Sequence, residues 1–472
     1  MIMKCMFRLL LLPALMCGFL FSAAWPEQPE ASMIVRGPNQ LRYHLNLDYT
    51  KPHVLNGTES ISFNNPLRKP LTMVWLRLWA NGLSGCHNRM IQVRVLSGAS
   101  SSALATGCSA LRLKLTHAVS PGARDLIRLQ IKLRTPNRED RFGRLHGVDI
   151  LGYAFPVMAV HDERGWHYRE HYTNLGESFY SLAGNWRVRV VTPRFFSLAG
   201  TGSAVSASPI RRGHRTWNFV APHARDFLLF GGKMKMISTW QDGVHIRLWG
   251  APSYFRPGAI DPALYPDGSP RSMLRWAKLS VKMFNRWFGH YNRPELDLFV
   301  DTQAGGMEFP DAVTSVPWSE VLVHEIAHQW WYSMLGNDQH RSPWLDESFA
   351  EYSTMRIIRF ANDKYVLACT PGWLEEWNKT KLSLSANMGV WDSRMDGMDY
   401  TRGVYCWGAV RLNELAIQMG PARADYLFHD LFQRYRDRII TTNDVLDTMR
   451  HWAPPGFDLD RWIRESRIQP SS

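Results

Sequence analysis

The chain has 472 residues, of which 45% are hydrophobic and 21% charged, with a formal net charge of +13 at pH 7. This composition excludes a disordered chain, and the length exceeds one ordinary core, so two domains are expected. No nucleic-acid-binding motif accompanies the basic charge. Solubility therefore accounts for it, with weak association at an anionic membrane or cell-wall surface as the further expectation.

Residues 1–24 read as a secretory signal: Lys4 and Arg8, an apolar run from Leu9 to Phe21, then the small residues Ser22-Ala23-Ala24. Pro13, Gly18 and the shortness of the run argue against an uncleaved membrane anchor. Bulky Leu15-Met16 ahead of Cys17 argue against lipidation. An exported, periplasmic or extracellular location is expected. Cleavage would remove two basic residues and no acid, leaving 13 − 2 = +11. Cys5 and Cys17 would leave with the signal. Cys86, Cys108, Cys369 and Cys406 remain, an even set suited to an oxidising compartment. Pairing of Cys86 with Cys108 and of Cys369 with Cys406 is expected, although four cysteines allow three connectivities. None lies in a C-x-x-C, so no cysteine-zinc site is expected.

From about residue 30 to 240 the pattern is that of β structure. Alternating runs at 41–47, 126–133, 187–191 and 245–249 are separated by Gly, Pro and Asn, which predicts an antiparallel sheet or sandwich. No repeat or low-complexity tract interrupts it. The character changes near residue 250. Ser269-Pro270 caps a helix in which Met273, Trp276, Ala277, Phe284 and Trp287 recur at helical spacing, and Gly289 ends it. A strand follows at 296–300. A helix is expected from near Pro317 to about Leu335, stopped by Gly336-Asn337. Ser342-Pro343 opens the next. From about 404 the chain reads as helical, broken at Gly420-Pro421 and Pro454-Pro455. These elements place a signal at 1–24, a β domain at 25–245 and a second domain at 246–472.

The helix expected after Pro317 carries His324-Glu325-Ile326-Ala327-His328. One turn separates the two histidines, so both imidazoles face the same way, roughly 6 Å apart along the axis. That is the bite for two corners of a tetrahedral Zn²⁺ site, and Glu325 between them can hold a metal-bound water. Eighteen residues later, enough for a loop and a new helix, Glu347 supplies a third ligand and leaves a fourth position open. An open fourth position marks a catalytic rather than a structural zinc site. The competing reading, a chance H-E-x-x-H of packed side chains, is outweighed by Glu347 in its helical context. Upstream, Gly305-Gly306-Met307-Glu308 follows the 296–300 strand. Its glycines allow close backbone approach to an extended peptide, and Glu308 can meet a positive charge. By itself it would be read as a turn with a solvated carboxylate. Asp346 and Glu351 are open between acceptors for the ligating histidines and ordinary helix acids. Trp330, Trp331 and Tyr332 read as core or groove wall.

Together, His324-Glu325-x-x-His328, Trp344-Leu345-Asp346-Glu347 and Gly305-Gly306-Met307-Glu308 resemble the M1 (gluzincin) aminopeptidase family. Tyr405-Cys406-Trp407-Gly408 is similar to its Y-x-K-G segment. The order of motifs agrees over roughly 30–470. The resemblance implies a multidomain α+β protein: an N-terminal antiparallel β-sandwich-like domain, then a thermolysin-like catalytic domain with a helical C-terminal part. It implies one Zn²⁺ held by His324, His328 and Glu347, with Glu325 as general base. Glu308, with Gly305, Gly306 and Met307, would bind a peptide through its free α-amino group, and Tyr405 would stabilise the oxyanion. Tyr400 is the rival phenol. Phe309 stands where the family has Asn, and Trp407 where it has Lys. The resemblance also implies a short, bacterial-type member without the large C-terminal helical domain, and hence a more open pocket. Two alternatives stay open: a zinc endopeptidase of the same clan, and a catalytically idle peptidase-like binding protein. Neither the oligomeric state nor the preferred first side chain can be read from the residues.

Overall fold

The computed structural model describes residues 36–470 apart from 83, 174, 302–304, 362–368, 370 and 393–397. The signal-like residues 1–24 lie outside the described residues. Among the described residues no helix is long and apolar enough to cross a membrane.

Strand alternation builds the first core. In Asn39–Lys51, Leu41, Tyr43, Leu45, Leu47 and Tyr49 point inward and the residues between them outward. This strand is central in a seven-stranded sheet. The order is Ser203–Ala207, His214–Ala224, Gly184–Pro193, Asn39–Lys51, Val54–Asn64, Arg124–Arg134, Ile91–Ser97. The pairs are antiparallel, as the sequence suggests, with one exception: Asn39–Lys51 runs parallel to Gly184–Pro193. A parallel neighbour needs a long crossover, and the chain between them builds most of two further four-stranded sheets. Leu76 and Leu113 from one of these sheets, and Ile150 and Phe230 from the other, join the same core.

The second core forms around a sheet ordered Lys235–Gln241, Val244–Gly250, Glu295–Val300, Ala312–Ser315. Its last two pairings are parallel. Helix α1 (Pro270–Trp287) begins as expected: the Ser269 hydroxyl accepts from Ser272 N at 3.3 Å and proline occupies the first turn. It buries Met273, Ala277, Val281 and Phe284. Helices α2 (Ser319–Ala327) and α3 (Trp344–Phe360) pack against one another, and helices at 408–419, 421–435, 442–452 and 459–466 complete the tail.

Helix α2 is shorter than the sequence suggests. It ends at His328, and a wide turn follows, with Ser333 N donating to His328 O and Leu335 N to Trp330 O. The three aromatic residues here are drawn in different directions, which one regular helix could not satisfy. Trp330 Nε1 donates to Gly289 O at 2.8 Å, Trp331 Nε1 to Ser353 Oγ at 3.0 Å, and the Tyr332 hydroxyl to Asp226 at 2.8 Å. Buried Arg225 then takes the Tyr332 carbonyl at 2.9 Å, together with those of Ser181 and Arg438. This guanidinium therefore ties the β half to the helical half.

A second tie holds the loop ahead of α3. His167 Nε2 lies 2.8 Å from Asp162, and its Nδ1 faces Glu170 and Asp338 at 3.6 and 3.9 Å. Burial alone would lower the His167 pKa, but the hydrogen bonds to Asp162 and Glu170 win and raise it from 6.5 to about 9. A raised folded pKa contributes stability that is fully present below about pH 6.5 and lost as pH rises through about 9. The contribution is on the order of 3 kcal/mol. Thermal melts from pH 6 to 10 should therefore show Tm falling in the parent protein, and His167→Gln should flatten that decline.

Candidate metal centre

Three side chains from α2 and α3 converge. His324 Nε2 lies 3.0 Å from His328 Nε2 and 3.0 Å from Glu347 Oε2, and His328 Nε2 lies 3.3 Å from that same oxygen. Donors about 2.0–2.1 Å from a tetrahedral Zn²⁺ stand roughly 3.3 Å from one another, so the triangle fits this ion. The outer ring nitrogens are engaged as metal ligation requires. His324 Nδ1 donates to Glu351 at 2.9 Å and His328 Nδ1 to Trp331 O at 3.3 Å, leaving both Nε2 lone pairs facing inward. Glu347 is buried; burial raises its pKa, but the two imidazoles, His328 foremost, hold it well below the ordinary carboxylate range.

Of the two acids left open by the sequence, Glu351 is the histidine acceptor and is buried rather than solvated. Asp346 turns away to Gln339 and Asn337, at 2.7 and 2.8 Å. Gln339 also donates to Glu308 at 2.8 Å, so one amide sets the position of two buried carboxylates.

The triangle opens into a cavity of about 350 Å³. Glu325 lines it, held over Gly306, where an added Cβ would stand 2.3 Å from Glu325 Oε1; only glycine leaves room for the carboxylate. Gly305 and Glu308 also line the cavity. Met307 does not: it is buried in the first core, its sulfur 3.0 Å from Arg141 Nε. Phe309 likewise lies outside the cavity lining and packs on Gly152.

Tyr400 and Tyr405 both border the cavity, and their surroundings separate them. The Tyr405 ring stacks on His324 with centroids 5.4 Å apart, and its hydroxyl interacts with Glu347. Burial, and then the negative Glu347, keep its proton on, so it can donate. The Tyr400 hydroxyl instead packs against Gly176, without a hydrogen-bond partner among the described residues. Two local devices seat Tyr405. Gly408 presses on Ser348, where a Cβ would lie 1.9 Å from the hydroxyl oxygen. Cys406 is bonded to Cys369, and both line the cavity. The other expected pair, Cys86–Cys108, is also bonded.

The first core contributes Glu177 and Arg141, which the sequence gave no reason to select. Arg141 Nη2 lies 2.6 Å from Glu177 Oε1, and the other oxygen, Oε2, is buried without a hydrogen-bond partner among the described residues. Burial, then Glu308 and Glu347, raise the Glu177 pKa. Among the described residues, Glu177, Glu308, Glu325, Glu347 and Glu351 thus face a cavity with Arg141 as its lining guanidinium, an arrangement that favours a positively charged ligand.

No protein-family model matches the chain. A zinc metallopeptidase of the M1 group from Deinococcus radiodurans, solved as a Glu-to-Ala variant bound to a Tyr-Ser-Ala substrate, superposes with a TM-score of 0.65. It is 19% identical, and the match covers 92% of this chain and 95% of that one. The M1 zinc metallopeptidase of the same organism without that substitution gives a TM-score of 0.64 at 18% identity, covering 92% and 94%. The chain has the fold of the M1 zinc metallopeptidases. The resemblance carried by the M1 motifs is thereby borne out, as is the α+β architecture. Aminopeptidase B of Homo sapiens is 25% identical over 263 residues, which are 45% of this chain and 40% of that protein. The thyrotropin-releasing hormone-degrading ectoenzyme of Homo sapiens is 24% identical over 227 residues, covering 42% and 19%. The chain therefore spans well under half the length of these M1-type relatives.

Proposed function

We propose that the protein is an exported zinc aminopeptidase that removes the first residue of peptides bearing a free N-terminus. The observation that carries this reading is the donor triangle of His324, His328 and Glu347 sharing one cavity with Glu325, Glu308 and Glu177. The similarity to aminopeptidase B, and to a metallopeptidase solved with a tripeptide, supports the same substrate class. The two disulfides and the signal-like 1–24 segment support export.

Zn²⁺ held by His324, His328 and Glu347 would supply a Lewis acid for the scissile carbonyl and bring a water within reach of deprotonation near neutral pH. Glu325 accepts the proton of the attacking water and delivers it to the leaving amine. Tyr405 donates its phenol hydrogen to the oxygen on which negative charge develops. Glu308 and the free oxygen of Glu177 hold the substrate ammonium, fixing the peptide so that cleavage falls one residue from the end. An ammonium anchor also accounts for a buried Glu177 oxygen that has no hydrogen-bond donor among the described residues and lies near a second carboxylate, Glu347.

A panel of aminoacyl-amide chromogenic substrates, assayed before and after chelation and after zinc is restored, tests the reading. Hydrolysis lost on chelation and regained with zinc is expected. Activity that survives full metal removal would exclude it.

A further inference from the structure

The strand alternation that fills the first core also fixes what its other side presents. On Asn39–Lys51 the outward residues include Arg42, His44, Asn46 and Asp48. In register, His44 stands beside Arg187 and Ser60, and Asn46 beside Arg189 and Thr58. One strand further on, Ser60 faces Arg128 and Asn56 faces Lys132. Neighbouring strands lie about 4.8 Å apart, and alternate residues about 6.7 Å apart along each. The outer face is therefore a lattice of guanidinium, ammonium, amide and hydroxyl groups.

The cations of this lattice are uncompensated. Arg42, Arg128, Lys132, Arg187 and Arg189 are exposed and form no ion pair with a described residue. The exposed carboxylate among them, Asp48, is occupied by Thr50 N and Oγ1 at 2.9 and 2.7 Å. His44 registers the crowding: its pKa is lowered by burial, then by Arg187 and Arg42. In register each of these cations faces an amide, a hydroxyl, a valine or His44 and no carboxylate, so cross-strand ion pairing does not account for the pattern.

The face is also shallowly indented. Two open depressions of about 410 and 460 Å³ lie on it, the first lined by Arg94 and Lys132, the second by Asn46, Thr58, Arg189 and the Thr50-bound Asp48. Both include Asn56 and Gln130, so they adjoin as one trough across the strands. Gln130 accepts two hydrogen bonds from Arg94, at 2.7 and 2.9 Å, which fixes its amide in the floor. No residue is shared with the catalytic cavity. Among the described residues no aromatic ring lines the trough to stack a nucleobase. Cations spaced among amides and hydroxyls match a chain that alternates carboxylates with hydroxyl groups.

We propose that the outer face of the seven-stranded sheet is a binding site for an extended acidic polysaccharide. Arg189 and Lys132 in the trough, with Arg187 on the same face two residues from Arg189, meet its carboxylates, and Asn46, Asn56 and Gln130 meet its hydroxyls. Such a site would hold the chain in an anionic surface matrix while the separate catalytic cavity stays open.

The test uses the purified chain on immobilised polygalacturonate, with neutral dextran as the reference surface. Salt-reversible retention on polygalacturonate alone is expected. Arg187→Glu/Arg189→Glu should weaken it at least tenfold, with Tm and turnover unchanged, and Arg94→Glu/Lys132→Glu should act alike. Arg211→Glu/Arg212→Glu, an equal charge change in the turn ahead of His214–Ala224 that alters no residue of either depression, should stay within twofold. If this control loses as much affinity as the trough variants, retention is bulk charge and the proposal fails. It fails equally if duplex DNA or phosphatidylglycerol vesicles bind tenfold more tightly than polygalacturonate.

Discussion

Glu325→Gln is expected to lower turnover of an aminoacyl amide by roughly 10³-fold, within the range contributed by a positioned general base, and to leave bound zinc unchanged. Glutamine keeps the shape that packs over Gly306, and Glu325 is not one of the three converging donors. The fold and the metal cradle therefore survive, and only the proton acceptor is lost. The environment suits that role. Burial pushes the Glu325 carboxyl up to about 8, Glu308 adds to this, and the two imidazoles oppose it. A dication held in the adjacent cradle would pull it down again, which would leave a group able both to take and to return a proton near neutrality. Steady-state hydrolysis paired with metal analysis of the same preparation checks the result. A Gln variant within tenfold of the parent, with zinc bound, would remove Glu325 from the mechanism.

The second large effect is on the choice of peptide end. Glu308→Ala should reduce kcat/KM for free-amino substrates by roughly 10²–10³-fold, since breaking one partner of a buried charge pair costs about 3–5 kcal/mol. Glu308 is 3% exposed and is oriented by Gln339, so little water is at hand to replace it. The ammonium would keep Glu177 alone, and Glu177 already shares its charge with Arg141. N-acetylated peptides, which carry no ammonium, should be poor substrates of the parent and be unaffected by the substitution. The free-to-acetylated ratio in the two proteins is the measurement. Equal cleavage of both peptide types by the parent would favour the endopeptidase alternative and leave Glu308 without its role.

Both predictions depend on groups that were unequally legible in the sequence. His324, Glu325, His328 and Glu347 could be read because their geometry is local: a turn of helix, a loop, the start of the next helix. The alternations at 41–47 and 187–191 were legible for the same reason, since a period of two fixes which side chains share a face. Glu351 stayed ambiguous, because the spacing places it one turn beyond Glu347 without saying which imidazole nitrogen is nearby. The end of α2 was misjudged because hydrogen bonds to Gly289, Ser353 and Asp226, all remote in sequence, outweigh helix continuation.

The sequence by itself determined a helix pair carrying three candidate zinc donors, the residue types of the proposed hydrolytic site, and a β-rich first half. Only the tertiary structure decided what surrounds that metal triangle. It brought Arg141 and Glu177 from the first core to the cavity, turned Met307 and Phe309 away from it, and set Tyr405 rather than Tyr400 against His324. The physical reason is range. Periodicity and short spacing describe contacts within one or two elements, whereas the cavity is walled by residues up to 265 positions apart, from Arg141 to Cys406, brought together by the packing of two cores.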